Sequence, residues 1–254
     1  MIVGRRIIRL ERVTSTMAEI DRLAANGEPE GTVVVADKQT AGRGRAGRLW
    51  HAPAGTAILC SILMRPPLPA ERLTPLPLLA GVAVAAAIED HAPVRCYLKW
   101  PNDVWIDGNK VAGILMTSRA NSNGVAHVNI GIGVNVNTPK SELPDGATSL
   151  DAVSGHEVDR DQLLRSILAR IDEQYERLVS TGAQTGLDAW RDRAALIDDD
   201  VVVVTANGEE TGQLLGIDDD GALLLAQHGV TKRFVVGDLT RGPRLMQRPV
   251  RNWR

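Results

Sequence analysis

Three arginines and three glycines share one short stretch of this chain, Gly42-Arg43-Gly44-Arg45-Ala46-Gly47-Arg48, and Trp50 stands at its end. Guanidinium forks and the backbone N–H groups of a pliable glycine-rich loop are the donors that wrap the oxygens of a polyanion. The stretch is therefore a phosphate-cradle candidate, its plainer alternative being a surface loop with incidental arginines. The spelling also matches the G-x-G-x-x-G dinucleotide fingerprint, which needs a helix opening at the third glycine and an acid about 20 residues later. Here Arg48-Leu-Trp-His-Ala-Pro-Ala-Gly55 follows, with Pro53 and Gly55 opposing a helix, and no acid stands between Asp37 and Glu71. The dinucleotide reading fails on context. Neither a Walker lysine nor a kinase catalytic loop occurs anywhere.

A second group of reactive side chains lies at Lys99-Trp-Pro-Asn102-Asp103, followed by Lys110-Val-Ala-Gly113. Pro101 fixes the backbone beside Asn102, and Lys110 opens a strand that can aim it, although a lysine beside a hairpin is ordinarily only solubilising. A third pattern begins at Ala126. Val128, Ile130, Ile132, Val134 and Val136 alternate with Asn129, Gly131, Gly133, Asn135 and Asn137, so one face of the strand is core and the other bare backbone and amides. Glycine inside a strand is tolerated where something approaches the backbone closely. That something is either a ligand, which makes the face a cleft floor, or a neighbouring element packed against it.

The elements that hold these residues follow from periodicity. Thr16 to Glu19 has capping-box spacing and opens a helix that stops at Asn26-Gly27. Strands are expected over Thr32–Ala36 and Thr56–Met64, then a buried helix from about Pro75 to Asp90. A meander begins at Val94. Val104–Ile106 and Lys110–Thr117 flank a three-residue hairpin at Asp107-Gly108-Asn109, and Asn121 to Gly124 makes the next turn. An amphipathic helix is expected over Val158–Ser180 and a shorter one over Leu187–Leu196. Four short strands between Val201 and Val236 then read as a small barrel, with a boundary near Ile197. The tail, with Arg241, Arg244, Arg248, Arg251 and Arg254, reads as a mobile end.

Composition limits the function classes. The 254 residues are 44% apolar and 24% charged, which excludes disorder and suits one large domain or one plus a small one. Lysine and arginine total 29 against 31 acids, a net charge of -2, so any polyanion site must be local. At 3% aromatic residues the chain is poorly equipped to stack single-stranded RNA. Cys60 and Cys96 lie in apolar runs without C-x-x-C spacing and are expected as buried thiols. The five histidines show no ligand pairing and the Asp198–Asp200 and Asp218–Asp220 clusters read as solvated turns, so no protein-built metal site is expected. The apolar run Leu73–Ile88 is shorter than a bilayer span, and the N-terminus lacks secretory-signal character, so no membrane span and a cytoplasmic location are expected.

Taken together, QTAGRGRAGRLW from Gln39, LKWPNDVWIDGNKVAGIL from Leu98 and NIGIGVNVN from Asn129 resemble, in order and spacing, the three signature segments of the biotin protein ligases. The likeness extends over nearly the whole chain. It implies an α+β fold, a mixed sheet with helices packed on it like the catalytic domain of class II aminoacyl-tRNA synthetases and biotin ligases, followed by a small SH3-like barrel. The expected division is 1–196 catalytic domain, 197–247 barrel and 248–254 basic tail. The helix-turn-helix of repressor-type members has no counterpart ahead of these segments, so DNA-binding repression is not expected. The sequence leaves the oligomeric state open, a homodimer included.

The resemblance further implies ATP-dependent conversion of biotin to biotinoyl-5'-AMP, with Mg²⁺ on the phosphates, and transfer of biotin to a lysine of a biotin carboxyl carrier protein. A lipoate-protein ligase is the nearest rival. By similarity, Ser15, Thr16, Met17 and Gln39 would meet the ring end of biotin. Arg43, Arg45 and Lys110 would hold its carboxylate and the α-phosphate, with Arg45 and Lys110 as the catalytic pair. Gly42, Gly44, Gly113 and Gly131 would let biotin lie against backbone. Arg48, Asn102 and Asn135 would join Arg43 and Arg45 at the nucleotide, with Trp50 closing over the intermediate. Met17 replaces an asparagine usual in the family. Ser15 and Thr16 also have a purely structural account as helix caps, and Asp103 is a weak candidate for the base of the transfer step. The loop from Gly42 to Trp50 is expected to be mobile without ligand and ordered with it, since an acyl-phosphate anhydride must be kept from water.

Overall fold

The structure, a computed structural model, describes residues 1–122 and 124–241. The first half alternates strands and helices: β1 (Arg6–Val13), α1 (Thr16–Ala25), β2 (Thr32–Gln39), the two-residue strands β3 (Gly42–Arg43) and β4 (Leu49–Trp50), β5 (Ala57–Met64) and α2 (Leu76–His91). A meander follows, of β6 (Tyr97–Lys99), β7 (Asp103–Ile106), β8 (Asn109–Asn121) and β9 (Gly124–Asn135), and then the helices α3 (Leu150–Ser154), α4 (Arg160–Ser180) and α5 (Gln184–Arg191). The chain continues through β10 (Asp200–Thr205), β11 (Gly208–Ile217), β12 (Leu223–Gln227), β13 (Val230–Phe234) and β14 (Asp238–Arg241).

The large sheet has seven strands in the order β1-β2-β5-β9-β8-β7-β6. β1 and β2 are parallel and the other neighbours antiparallel, so the sheet is mixed as expected. β5 is buried at every residue because it lies between β2 and β9 and is covered on both faces. Ile58, Cys60, Ile62 and Met64 join the core under α2 and α4, while Leu63 packs with Ile20, Leu23 and Ala24 of α1. α2 has Pro75 at its N-cap and Pro77 in its first turn, where the missing N–H groups leave no intrahelical bond unmade. By length and composition the stretch Ala70–His91 is apolar enough to cross a membrane, but most of it is buried inside the protein. Its apolarity is that of a core helix, packed against α4 and α5.

The second sheet is antiparallel, in the order β13-β12-β11-β10-β14, and forms the small barrel-like unit. Its apolar residues Val201, Val203, Leu214, Leu223, Leu225 and Leu239 belong to the same continuous core as the large sheet. Trp100 Nε1 donates to the Gly221 carbonyl across the junction at 3.1 Å.

Several local expectations are corrected. Thr16 does not begin a capping box: Ser15 is the N-cap, it makes no side-chain cap bond, and Glu19 turns to Arg22. The β7–β8 loop has two residues, because Asn109 pairs with Ile106 and only Asp107 and Gly108, both with positive φ, lie between them. The short helix ends at Arg191 rather than Leu196, whose φ of 66° ends any helical run. Among the described residues there are five C-terminal strands, not four, and Arg241, assigned above to the tail, pairs with Val201 in β14. The remaining tail arginines, and the segment 248–254, lie outside the described residues.

Candidate functional site

On the α1 side of the large sheet a cavity of about 630 Å³ opens where β9 and β8 present bare backbone, a volume in the usual range of small-molecule sites. Its floor is the glycine face of β9. A side chain at Gly131 would place its Cβ 2.8 Å from Met17 Sδ, and one at Gly133 would fall 2.5 Å from Trp50 Cε2. Both readings of the glycine pattern are therefore realised: the face is a cleft floor, and Met17 and the Trp50 indole pack on it. Asn129 and Asn137 do not reach the cleft. Asn129 Nδ2 donates to the Met17 carbonyl at 2.8 Å, and Asn137 lies beyond the strand, exchanging hydrogen bonds with the backbone of Val158.

Ser15, Thr16, Met17 and Gln39 line the wall. Gln39 Oε1 accepts from the Thr16 N–H at 2.7 Å and from Thr16 Oγ1 at 3.1 Å, and its amide N–H groups have no partner among the described residues. Thr16 Oγ1 also shares a hydrogen bond with Ser61. Ser15 Oγ is buried with no hydrogen-bond partner among the described residues. Neither side chain makes a cap hydrogen bond: Ser15 is the N-cap by backbone position alone, and Thr16 Oγ1 bonds to Gln39 and Ser61 instead. A buried hydroxyl without a partner costs about 1–3 kcal/mol, and a ligand supplying one recovers it.

Arg43, Arg45, Arg48 and Lys110 all line the cavity, as do Trp50, Gly44, Gly113, Asn102 and Asn135; of the residues expected at the site only Gly42 does not. Gly42 acts one layer back, where a Cβ would meet the Trp50 carbonyl at 2.3 Å. Lys110 reaches the cavity because of a β-bulge. Val104 pairs with Ala112 but Trp105 with Lys110, so Val111 is the extra residue. The bulge puts Lys110 on the same face as Gly113, which a regular strand would forbid. The backbone of Lys110 is held from the other side as well, its N–H donating to Gly146 and its carbonyl accepting from Thr148.

Lys110 Nζ lies 2.6 Å from Asp103 Oδ1 and 5.5 Å from the centroid of the Trp50 ring. The indole thus sits between the Gly133 backbone and an ammonium, on the floor rather than over the mouth. Its Nε1 is buried and has no hydrogen-bond partner among the described residues. Lys99 Nζ is 3.9 Å from the other oxygen of Asp103, and burial pushes the Lys99 ammonium below the usual lysine range against the pull of that carboxylate. Asn102 and Asn135 each spend one Nδ2 N–H on backbone, at Ile114 and Thr148, which leaves the second N–H and Oδ1 for a ligand. Arg45 and Arg48 are tied to Asp238. Sequence reasoning missed Asp238, behind two of these arginines, and, in the lining, Leu115 and the wall formed by Ser141, Glu142, Leu143, Pro144 and Ala147. The wall follows from Lys110 pairing with Ala147, a contact with no local signal.

A family profile described as the biotin/lipoate A/B protein ligase family matches residues 9–135, which carry Arg43, Arg45, Arg48 and Lys110 but not Asp238. The chain belongs to the biotin/lipoate A/B protein ligase family. Among its relatives, the bifunctional ligase/repressor BirA of Bacillus spizizenii is 40% identical over 92% of this chain and 73% of that protein. The biotin–[acetyl-CoA-carboxylase] ligase of Paracoccus denitrificans is 36% identical over 85% of this chain and 92% of its own length. Among solved structures, the biotin protein ligase from Aquifex aeolicus in complex with biotin and ATP superposes with a TM-score of 0.82 at 30% identity, over 94% of this chain and 100% of that one. The ligase fold thus extends through the C-terminal sheet as well as the matched segment.

Proposed function

We propose that the protein joins biotin to ATP, forming biotinoyl-5'-AMP, and passes the biotinoyl group to a lysine of the biotin carboxyl carrier protein of a biotin-dependent carboxylase. The observation that carries this is one cavity lined by four cations and, in the same lining, by a glutamine amide and a buried hydroxyl lacking a partner among the described residues. An acid with a polar ring, activated on a polyanion, has that distribution of charge.

In the first step a biotin carboxylate oxygen bonds to the α-phosphorus and the bond to pyrophosphate breaks. The carboxylate is ionised at neutral pH, so no general base is needed and charge repulsion is the obstacle. Arg45 and Lys110 are assigned to the junction of the two anions, where one well-placed donor is worth about 3–4 kcal/mol. Arg43 and Arg48 are assigned to the remaining phosphate oxygens, and magnesium enters on the triphosphate as part of the substrate. Ser15 Oγ and the Gln39 amide suit the ureido carbonyl, and Gly113 and Gly131 leave room for the ligand to lie on backbone. In the second step the carrier lysine attacks the acyl carbon, the acyl–phosphate oxygen bond breaks, AMP leaves and an amide forms with loss of the amine proton.

Residues 1–196 are proposed as the catalytic domain, with the barrel beginning at 197. Lipoate fits the polar end less well, since a dithiolane ring accepts nothing strong from Gln39 and leaves Ser15 Oγ unpaired. The test is mass spectrometry of a carrier domain incubated with this protein, Mg-ATP and either biotin or lipoate, with Lys110→Ala alongside. One biotinoyl addition on one lysine, strongly reduced in the variant, is the expected result. Lipoylation, or no modification and no pyrophosphate release, would overturn the reading.

A further inference from the structure

One acid of the second sheet fastens the arginine loop. Asp238 is the first residue of β14 and follows Gly237. Arg48 Nη2 donates to Asp238 Oδ2 at 2.7 Å, Arg45 Nε to Oδ1 at 3.4 Å, and Arg45 Nη2 to the Gly237 carbonyl at 3.0 Å. Arg48 Nε also donates to the Arg45 carbonyl, and the Gly44 N–H to the Arg48 carbonyl at 2.7 Å. Both guanidinium groups are therefore gripped along the edge carrying Nε and Nη2, while Nη1 of each has no partner among the described residues. The Asp238 side chain is 28% exposed and that of Arg45 27%, so this pair is largely shielded from solvent.

A loop holding Gly44 and Gly47, with Ala46 at a φ of 51°, has much freedom to lose when it closes on an anion. Its arginines also repel one another until an anion arrives. A carboxylate behind the loop offsets both costs before the ligand binds, which is preorganisation. We propose that Asp238 is a positioning residue for the nucleotide: it holds Arg45 and Arg48 by one edge each, so that the opposite edges are preset for phosphate oxygens, and does not itself touch them. The inference rests on the adenylate-forming reading above and gives the C-terminal sheet a part in it.

The test uses the full chain, with Asp238→Asn, Asp238→Glu, Arg48→Gln and the Arg48→Gln/Asp238→Asn double variant. In biotin-dependent exchange of pyrophosphate into ATP, Asp238→Asn is expected to raise KM for ATP about tenfold, with KM for biotin changed by less than about twofold and kcat by less than about threefold. Asp238→Glu should recover most of that loss. In the double variant the Asp238 effect should shrink to within about twofold of Arg48→Gln alone, because the two act through one contact. Hydrogen exchange without nucleotide should show residues 42–50 losing protection in Asp238→Asn while 97–117 keep theirs.

An unchanged KM for ATP would overturn the proposal, as would a lowered one, which would make the carboxylate a competitor of the phosphates. So would an equal rise in KM for biotin, the mark of general loosening. If Asp238→Asn does not fold, the exposed Arg48→Gln carries the test: protection of 42–50 must fall with it, and unchanged protection refutes the latch. A wild-type protein that exchanges no pyrophosphate sinks the reading of the reaction, yet hydrogen exchange still decides whether Asp238 orders the loop.

Discussion

The two glycines of the cleft floor should respond differently to the same substitution. A Cβ at Gly133 would stand 2.5, 2.8 and 2.9 Å from three carbons of the Trp50 indole. Carbon atoms pack at about 3.5–4.0 Å, so the ring must retreat by about 1 Å. It is rigid, with Lys110 5.5 Å from its centroid and the Gly113 Cβ position 3.1 Å from its Cζ3. Overpacking of this kind costs about 1–3 kcal/mol, and at 2 kcal/mol the melting temperature of a chain of this size falls by roughly 4–8 °C. At Gly131 the obstructing atoms are Met17 Sδ and Cγ, at 2.8 and 3.0 Å. A thioether with three rotatable bonds can move aside, at a cost below about 1 kcal/mol. Gly133→Ala is thus expected to melt several degrees below Gly131→Ala, while both raise KM for biotin or ATP. Gly81→Ala is the control, since its Cβ meets Leu98 Cδ2 at an ordinary 3.5 Å within α2. Calorimetry of the three variants, repeated for Gly133→Ala in a Trp50→Phe background, checks the cause, because the smaller ring should remove most of the penalty. Equal melting temperatures for the two floor variants, or a penalty untouched by Trp50→Phe, would refute the packing of Trp50 on Gly133.

Ser15→Ala removes a buried hydroxyl that caps nothing and has no partner among the described residues, so denaturant unfolding should show a gain of about 1–3 kcal/mol while KM for biotin rises about tenfold through loss of one hydrogen bond to the ligand; unchanged KM would remove Ser15 from the site. Burial opposes ionisation of Asp21, but hydrogen bonds from Asn129, His127 and Arg119 outweigh it and hold the carboxyl below the usual aspartate range. Stability from this group is therefore fully present above the ordinary aspartate range and lost as pH falls through the lower folded value, and Asp21→Asn should lose less stability than wild type between pH 5 and 3, within the few kcal/mol that such linkage supplies. Burial pushes the Cys60 thiol up to about 12, so a thiol reagent at pH 8 should leave it unmodified in the folded protein and label it only after denaturation.

What the sequence made legible was local. Alternation along β9 located the cleft floor, and the crowding of Arg43, Arg45 and Arg48 located the anion end, because both are written in neighbouring residues. The bulge at Val111 was hidden, since it exists only in the mismatch between β7 and β8, and counting along the strand puts Lys110 and Gly113 on opposite faces. Thr16 misled for a related reason. Its spacing to Glu19 fits a capping box, but Gln39 arrives from β2 and takes both the N–H and the hydroxyl, a tertiary bond that outcompetes the local one. Asp238 gave no signal either, lying 190 residues from Arg48 in sequence.

The distribution of acids explains how a chain of net charge -2 sustains a site for polyanions. Among the described residues four cations and two acids, Asp103 and Glu142, line the cavity, so the local field is positive whatever the whole chain carries. The acids that matter stand beside the cations, not in their place. Asp103 lies between Lys99 and Lys110, and Asp238 between Arg45 and Arg48. Each carboxylate lowers the mutual repulsion of a cation pair, and each cation keeps N–H groups to spare, since an ammonium has three donors and a guanidinium five. Arg43 is exposed and, alone among them, has no acid partner among the described residues. It is therefore the cation least restrained before a ligand arrives. In such an arrangement the incoming phosphates do not have to displace the acids, because charge left over after pairing is what attracts them. Neutralising an acid should then weaken the site by releasing its cations, whereas neutralising a cation should weaken it by removing the attraction itself; the two losses differ in whether the loop stays ordered.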